Sequence, residues 1–305
     1  MSDSLLRFML DGAPVRGEIV TLDASWLEIV TRHPLPQSVR DCLGELSAAA
    51  LMLAASLKFD GSLVLQIHGD GPVALLVVEC DAEGKYRATV KLREGDPPPP
   101  VANLRELVDA HGKGRFVVTL DPRTRSPSRQ PYQGIVPFEG ERLSEVLEKY
   151  MARSEQIPTR MWLAANGNRA VGLLLQRMPD IGGHGQAGGE TDTDAWSRMQ
   201  QLAETVTSRE LLELQPEEIL HRLFWQERLM RLDERACRFA CSCSRDRVGT
   251  MLKMLGREEV ESILDEQTTV EVRCEYCNEP YAFDRIDCMR LFIEGVQTEA
   301  PERRQ

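Results

Sequence analysis

The sequence predicts an α+β core followed by a helical linker and a small metal-dependent module. Three observations carry this: a strand meander set among helical spacings before residue 180, a glycine-rich break after it, and four cysteines in two close pairs towards the carboxyl end. In chain order, Val39 to Lys58 recurs at helical spacing. Its apolar run Leu46 to Leu57 is about a dozen residues, short of the ~20 needed to cross a bilayer, so no membrane segment is expected. Ser62 to His68 reads as a strand, Asp70-Gly71 as a hairpin dipeptide and Val73 to Val78 as a second strand. After the Glu83-Gly84 turn, Tyr86 to Leu92 alternates as a third. Pro97 to Pro100 can continue neither strand nor helix and mark an exposed connection. Leu143, Val146, Leu147, Tyr150 and Met151 return to helical spacing. Residues 1–180 are therefore expected to form one α+β domain.

From 181 to 194 the chain is mostly Gly, Asp, Thr and Gln, with almost nothing apolar to bury, which is linker composition. Beyond it Trp196, Met199, Leu202, Ala203 and Val206 keep helical spacing. A second helix starts at Pro216 and carries Ile219, Leu220, Leu223 and Phe224 on one side. Residues 181–236 thus read as a flexible and helical linker. Its helices are either a satellite hairpin packed on the core or a segment whose order depends on the module that follows.

That module spans 237–305 and is organised by Cys241-Ser242-Cys243, thirty intervening residues, and Cys274-Glu275-Tyr276-Cys277. Two thiol pairs brought together by a turn can complete one tetrahedral zinc site, since Zn2+ takes four soft ligands. Ser244 is placed to cap a helix with Val248, Met251, Leu252 and Leu255 on one face, ended by Gly256. Val260, Ile263 and Leu264 mark a short helix. Val270 and Val272 alternate before the second cysteine pair, and Tyr281 and Phe283 alternate after it, so that pair sits on a hairpin knuckle. About 55 residues with few apolar side chains are near the lower limit for unaided folding, so bound zinc is expected to supply much of the stability. Each pair is also close enough to close into its own disulfide, and the C-x-C ring would be strained and labile. Arg238, Arg245, Arg247 and Arg273 lie near the ligands in sequence, where they can offset the charge of four thiolates on one dication. Cys237 and Cys288 are extra to a complete four-ligand set, and Cys42 and Cys80 read as small buried hydrophobes.

The 305 residues, 42% hydrophobic and 28% charged, describe an ordinary folded protein of about two domains. A net charge of −11 argues against a general nucleic-acid surface. Met1-Ser2-Asp3-Ser4 has no export signature and reads as a cytoplasmic start. In that reducing compartment eight cysteines point to metal or redox chemistry rather than to a disulfide framework.

Phe239-Ala240-Cys241-Ser242-Cys243-Ser244-Arg245, the Glu258-Glu259-Val260 helix and Cys274-Glu275-Tyr276-Cys277-Asn278 resemble the redox switch of the bacterial heat-shock protein 33 family. The likeness continues through Pro216-Glu217-Glu218-Ile219-Leu220, Tyr150 with Ser154 to Thr159, Tyr132 to Val136, and Gly69 to Pro72, so it covers nearly the whole chain; the Gly-rich 181–194 stretch with His184 departs from it. The resemblance implies a redox-regulated, ATP-independent holdase rather than an enzyme. In its reduced form Cys241, Cys243, Cys274 and Cys277 would bind Zn2+ and the protein would be inactive. Under oxidative stress Cys241 would join Cys243, Cys274 would join Cys277, and zinc would be released. The linker would then unfold, and a homodimer would hold unfolding clients for hand-off to an ATP-dependent foldase. Losing the cover of the module would expose either Trp196, Met199, Leu220, Leu223 and Phe224 or the core surface they hide.

Two other classes are weighed against this. A zinc-ribbon nucleic-acid binder would explain the cysteines and nearby arginines, but the acidic balance and the lack of interleaved basic and aromatic residues oppose it. A thiol-disulfide oxidoreductase would use Cys274-x-x-Cys277 catalytically, but that pair does not open a helix after a strand, the setting that lowers a thiol pKa. Hydrolase and nucleotide motifs are missing: there is no G-x-S-x-G, and Gly182 to Gly189 lacks the Lys-Ser/Thr of a phosphate loop.

Overall fold

The computed structural model describes residues 3–57, 60–124, 130–179, 192 and 194–294. It divides into two compact units, 1–240 and 241–305. The glycine-rich stretch expected at 181–194 lies almost wholly outside the described residues.

In the first unit the chain forms β1 (Ser4–Leu10), β2 (Val15–Leu22), α1 (Ala24–Arg32), α2 (Gln37–Ser56), β3 (Gly61–His68), β4 (Val73–Asp81) and β5 (Lys85–Leu92). There follow α3 (Leu104–Val108), β6 (Arg115–Pro122), β7 (Tyr132–Val136), α4 (Leu143–Tyr150) with a π turn at Met151–Glu155, β8 (Thr159–Ala165) and β9 (Ala170–Arg177). The unit closes with α5 (Ala195–Ala203), α6 (Ser208–Glu213), α7 (Pro216–Phe224), β10 (Leu229–Ala236) and the two-residue β11 (Arg238–Phe239). The expected meander is β3, β4 and β5, and the expected helices are α2, α4, α5 and α7.

Two sheets result. The five-stranded sheet has the order β10-β1-β2-β9-β8, antiparallel throughout; the six-stranded sheet has the order β11-β5-β4-β3-β6-β7, antiparallel except that β11 runs parallel to β5. α2 packs against strands of both sheets. A helix apolar on nearly every side must be buried on every side, and Val39, Leu43, Leu46, Leu51 and Met52 are all in the core. Close approach needs small residues: a Cβ on Gly172 of β9 would meet Met52 Cε at 2.4 Å.

The other face of the five-stranded sheet is covered by α5, α6 and α7. Leu6, Phe8, Ile19, Val171, Leu173 and Leu175 form one apolar cluster with Met199, Leu211, Ile219, Leu220, Leu223 and Phe224. Phe8 and Phe224 pack as a tilted pair, with ring centroids 6.3 Å apart and 44° between their planes. Alternation along the strands explains the sorting, since Leu5 and Leu174 join the α2 core while Leu6 and Leu173 face α5–α7. Arg169 ties this cover down: its guanidinium grips Asp23 at 2.6 and 2.9 Å and donates to the Leu212 and Leu214 carbonyls at the end of α6.

The second unit contains α8 (Arg245–Leu255), α9 (Arg257–Glu266), β12 (Thr269–Arg273), β13 (Pro280–Asp284) and α10 (Arg285–Glu294). Its apolar core is small: Val248, Leu252, Val260, Leu264, Val270, Phe283 and Cys288. Among the described residues no helix is long and apolar enough to cross a membrane.

Candidate metal centre

The first cysteine pair is placed by the start of α8. Ser244 is its N-cap, with the hydroxyl accepting from Arg247 N at 3.2 Å. Cys243 therefore sits just before the helix and Cys241 two residues further out. Arg247 fixes the intervening residue by donating to the carbonyl and hydroxyl of Ser242 at 2.8 and 2.6 Å.

The second pair is placed by the β12–β13 hairpin, in register from Thr269 with Asp284 to Arg273 with Pro280. The chain turns between these strands: Cys274 N donates to the Glu279 carbonyl at 3.0 Å and Asn278 N donates to the Cys274 carbonyl at 2.8 Å. Asn278 supplies the left-handed residue, with φ +59, that such a turn needs and that asparagine tolerates.

These two frames bring all four sulfurs within 4.8 Å of one another. Cys241 Sγ lies 3.6 Å from Cys274 Sγ, and Cys243 Sγ lies 3.3 Å from Cys277 Sγ. With metal–sulfur bonds of ~2.3 Å a tetrahedral site has sulfur–sulfur edges of about 3.8 Å. The spacing and the all-sulfur donor set fit a structural zinc ion, and no other group of three or more His, Cys, Asp or Glu among the described residues gathers this way. Four thiols so close cannot all ionise unaided. Burial pushes the Cys277 thiol well above its usual range, the Glu279 backbone pulls it down, and the sulfurs of Cys243, Cys241 and Cys274 add to the rise. A dication reverses that preference by stabilising thiolate.

Tyr281 on β13 donates its hydroxyl to Cys243 Sγ at 3.1 Å. The bond to Cys243, ahead of burial, raises its phenol pKa. Its spacing in the sequence places Tyr281 only on an alternating strand, because nothing local encodes a contact across 38 residues. Arg245 is set by the fold around the site: its guanidinium lies 4.2 Å over the Phe283 ring and bonds the Ala282 carbonyl and Asp287. Arg238 belongs to β11 in the first unit.

The four remaining cysteines stay out of the cluster. Cys42, Cys80 and Cys237 are in the first unit's core and Cys288 is in the second unit's. Burial, reinforced by Asp3, pushes the Cys237 thiol up to about 12, so it stays protonated and inert. Of the linker residues singled out by spacing, Met199, Leu220, Leu223 and Phe224 are buried against the five-stranded sheet, and Trp196 is half-buried there.

Comparison with known proteins covers both units. The model of the Hsp33 protein family matches residues 3–284. The 33 kDa chaperonin of Methylobacillus flagellatus is 47% identical over 297 residues, spanning 97% of this chain and 96% of that one. The 33 kDa chaperonin of Chromobacterium violaceum is 46% identical over 305 residues, spanning 99% and 98%. The crystal structure of the 33 kDa chaperonin (heat shock protein 33 homologue) of Thermotoga maritima superposes with a TM-score of 0.78 over 97% of this chain and 99% of that one, at 22% identity, and so shares the fold.

Proposed function

The chain belongs to the Hsp33 protein family, whose members named above are chaperonins and not enzymes, and from that premise we propose that it is a redox-regulated, ATP-independent holdase. The observation that carries the reading is the cluster of Cys241, Cys243, Cys274 and Cys277 on a unit whose apolar core, among the described residues, is a cluster of seven buried side chains. Zinc bound there supplies the charge that keeps four thiolates together, on the order of 10 kcal/mol of apparent stability, comparable with the whole stability of a small domain.

Oxidation acts on the same sulfurs. Two thiols and one peroxide give one disulfide and two waters, the thiols losing two electrons and two protons. We assign the disulfides to Cys241 with Cys243 and to Cys274 with Cys277. In the reduced cluster the nearest sulfurs lie across the two arms. Crossed disulfides would staple those arms together, whereas pairing within each arm leaves no sulfur link between them. Paired sulfurs offer no thiolate, so they release the ion, and the unit loses its main support.

In the active state the protein binds unfolding polypeptides through apolar surface. The residues proposed for that surface, or for the cover that leaves it, are Trp196, Met199, Leu220, Leu223 and Phe224, now packed on the sheet. Homodimerisation on activation, hand-off of clients to an ATP-dependent foldase and a cytoplasmic location complete the proposal. The test pairs zinc release with light scattering from a denaturing client, with and without peroxide, for wild type and Cys241→Ser. Oxidation should release zinc and suppress scattering together. Zinc release with no suppression of aggregation refutes the holdase reading.

A further inference from the structure

A cavity of about 440 Å³ lies in the first unit where its two apolar clusters meet. That size falls within the range of about 300–1,000 Å³ over which small-molecule sites occur. Its apolar walls are Leu104, Leu107, Leu143 and Met161 from the α2 core, Leu163 of β8 and Leu211 of α6. Trp162 lines it as well, and an indole is the side-chain ring that attracts a cation most strongly.

The charged groups on the wall are mostly acidic. α2 contributes Asp41 and Glu45, four residues apart and so on one helical face, and Glu141 lies just before α4. Arg142 is the cation among the lining residues, and its guanidinium bonds Glu145 at 2.8 Å. Asp41 has Arg40 at 3.2 Å. Glu45 differs from both, since among the described residues no donor or cation bonds its carboxyl group. Its remaining solvent contact is by way of the cavity it lines. Burial, and then Asp41, pushes that carboxyl up to about 7, against the pull of Arg142. A carboxylate held away from water is stabilised by a cation placed against it, and no side chain of the protein does so at bonding distance here.

The walls discriminate between ligand classes. Asp41, Glu45 and Glu141 repel an anion. A bare divalent ion wants several oxygens converging on one point, and no group of three or more His, Cys, Asp or Glu gathers here. An ammonium on an aliphatic chain meets both halves of the cavity, the charge at Glu45 and the hydrocarbon at the leucines. The site also spans a joint in the fold: Ser208 and Leu211 of α6, with Val206 just before it, form one side, and α2, α3, α4 and β8 form the rest. Contact with both sides exists only while α6 is seated.

We propose that this cavity binds a small organic amine, its ammonium against Glu45 and Asp41 and its chain against Leu104, Leu107, Met161 and Leu211, and that the bound amine holds α6 on the core. The second half rests on the holdase reading. A ligand that binds only the seated form opposes release of the helical cover by mass action, so it raises the oxidant dose needed for activation.

The experiment titrates the full-length reduced protein calorimetrically with n-hexylamine, with hexanoate as the charge-reversed control and MgCl2 as the inorganic cation. Wild type should bind hexylamine and neither control. Glu45→Gln keeps the shape without the charge and should weaken hexylamine by about tenfold or more. Around Glu45 the charged groups are Asp41 on its own helix and Glu141 and Arg142 beside α4, while α3, β8 and α6 present none to the cavity. Affinity for hexylamine, which stays protonated, should therefore rise from pH 6 to pH 8 as Glu45 ionises, and Glu45→Gln should flatten the rise. In wild type, bound hexylamine should slow amide exchange in α6, a readout that stands even if the variant fails to fold. Wild-type affinity in a folded Glu45→Gln protein, or equal binding of hexanoate, overturns the site. Displacement of hexylamine by equimolar Mg2+ also overturns it, giving the carboxylates to an inorganic cation. Hexylamine binding that neither slows exchange in α6 nor raises the peroxide dose for client protection overturns its hold on the cover. If wild type never protects a client after oxidation, the holdase reading fails, and the calorimetry still decides the cavity.

Discussion

Removing the Arg169 guanidinium should loosen the helices that cover the five-stranded sheet. Arg169 is 7% exposed and its donors are committed to both carboxylate oxygens of Asp23 and to the carbonyls of Leu212 and Leu214. Arg169→Ala leaves a largely buried carboxylate without its cation, a change that costs about 3–5 kcal/mol when one partner of a buried pair is lost. The Asp23 side chain is 19% exposed, so water reaches it and the lower end applies, about 3 kcal/mol. With a urea slope of about 3 kcal/mol/M the midpoint of the first unit should fall by about 1 M. The share borne by the two α6 carbonyls, about 2–3 kcal/mol for bonds to a charged donor, should speed amide exchange in α6 roughly 30- to 150-fold. Arg169→Lys, which keeps the charge but not the fork, should fall between the two. Urea denaturation followed by fluorescence and residue-resolved exchange read both quantities. An unchanged midpoint, or unchanged exchange across α5–α7, would show that Arg169 does not hold these helices. If their release exposes client-binding surface, Arg169→Ala should also protect clients at lower peroxide than wild type.

Three further outcomes are expected. Burial pushes the Glu18 carboxyl from the ordinary 4.5 up to about 7 against the pull of Arg7 and Arg16, and its Oε2 atom has no hydrogen-bond partner. The folded state thus binds its proton more tightly than the unfolded chain, so this stabilisation is complete below about pH 4.5 and lost as pH rises through 7, about 3 kcal/mol in all. Glu45, also raised to about 7 by burial and then by Asp41, adds a slope of the same sign. Glu18→Gln should flatten the fall in urea midpoint between pH 5 and 8; an unchanged slope refutes the assignment. Tyr281→Phe removes the hydroxyl donor to Cys243 and should weaken zinc binding about tenfold, read by competition with a chelating dye. Chelation of the reduced protein should abolish the cooperative thermal transition of the second unit while leaving that of residues 1–240 in place; a single unchanged transition would show that the metal does not support the fold.

The parts of the fold visible from spacing were those with one face in water. β3, β5 and the β12–β13 hairpin alternate, and α4, α5 and α7 carry a single apolar stripe, so periodicity marks them. β1, β2, β8 and β9 were not singled out. Their sheet is covered on both faces, so stretches such as Ser4–Leu10 and Ala170–Arg177 are apolar on both sides and lose the period of two. β10 escaped for the opposite reason: as a mostly exposed edge it is rich in charge and resembles a loop. α2 was found as a helix, but its place between two sheets depends on strands from distant parts of the chain.

Caps, turns and amphipathic faces depend on neighbours a few residues away, so the two cysteine pairs, the Ser244 cap, the knuckle turn and the apolar stripes of the linker helices can be read along the chain. Which atoms meet across long separations depends on tertiary packing. It brought the four sulfurs within 4.8 Å and put Tyr281 on Cys243. It locked Arg169 onto Asp23, 146 residues distant, and laid β11 along β5. Such contacts close large loops, and no local preference encodes them; they form only because the buried faces of both partners satisfy one another at once.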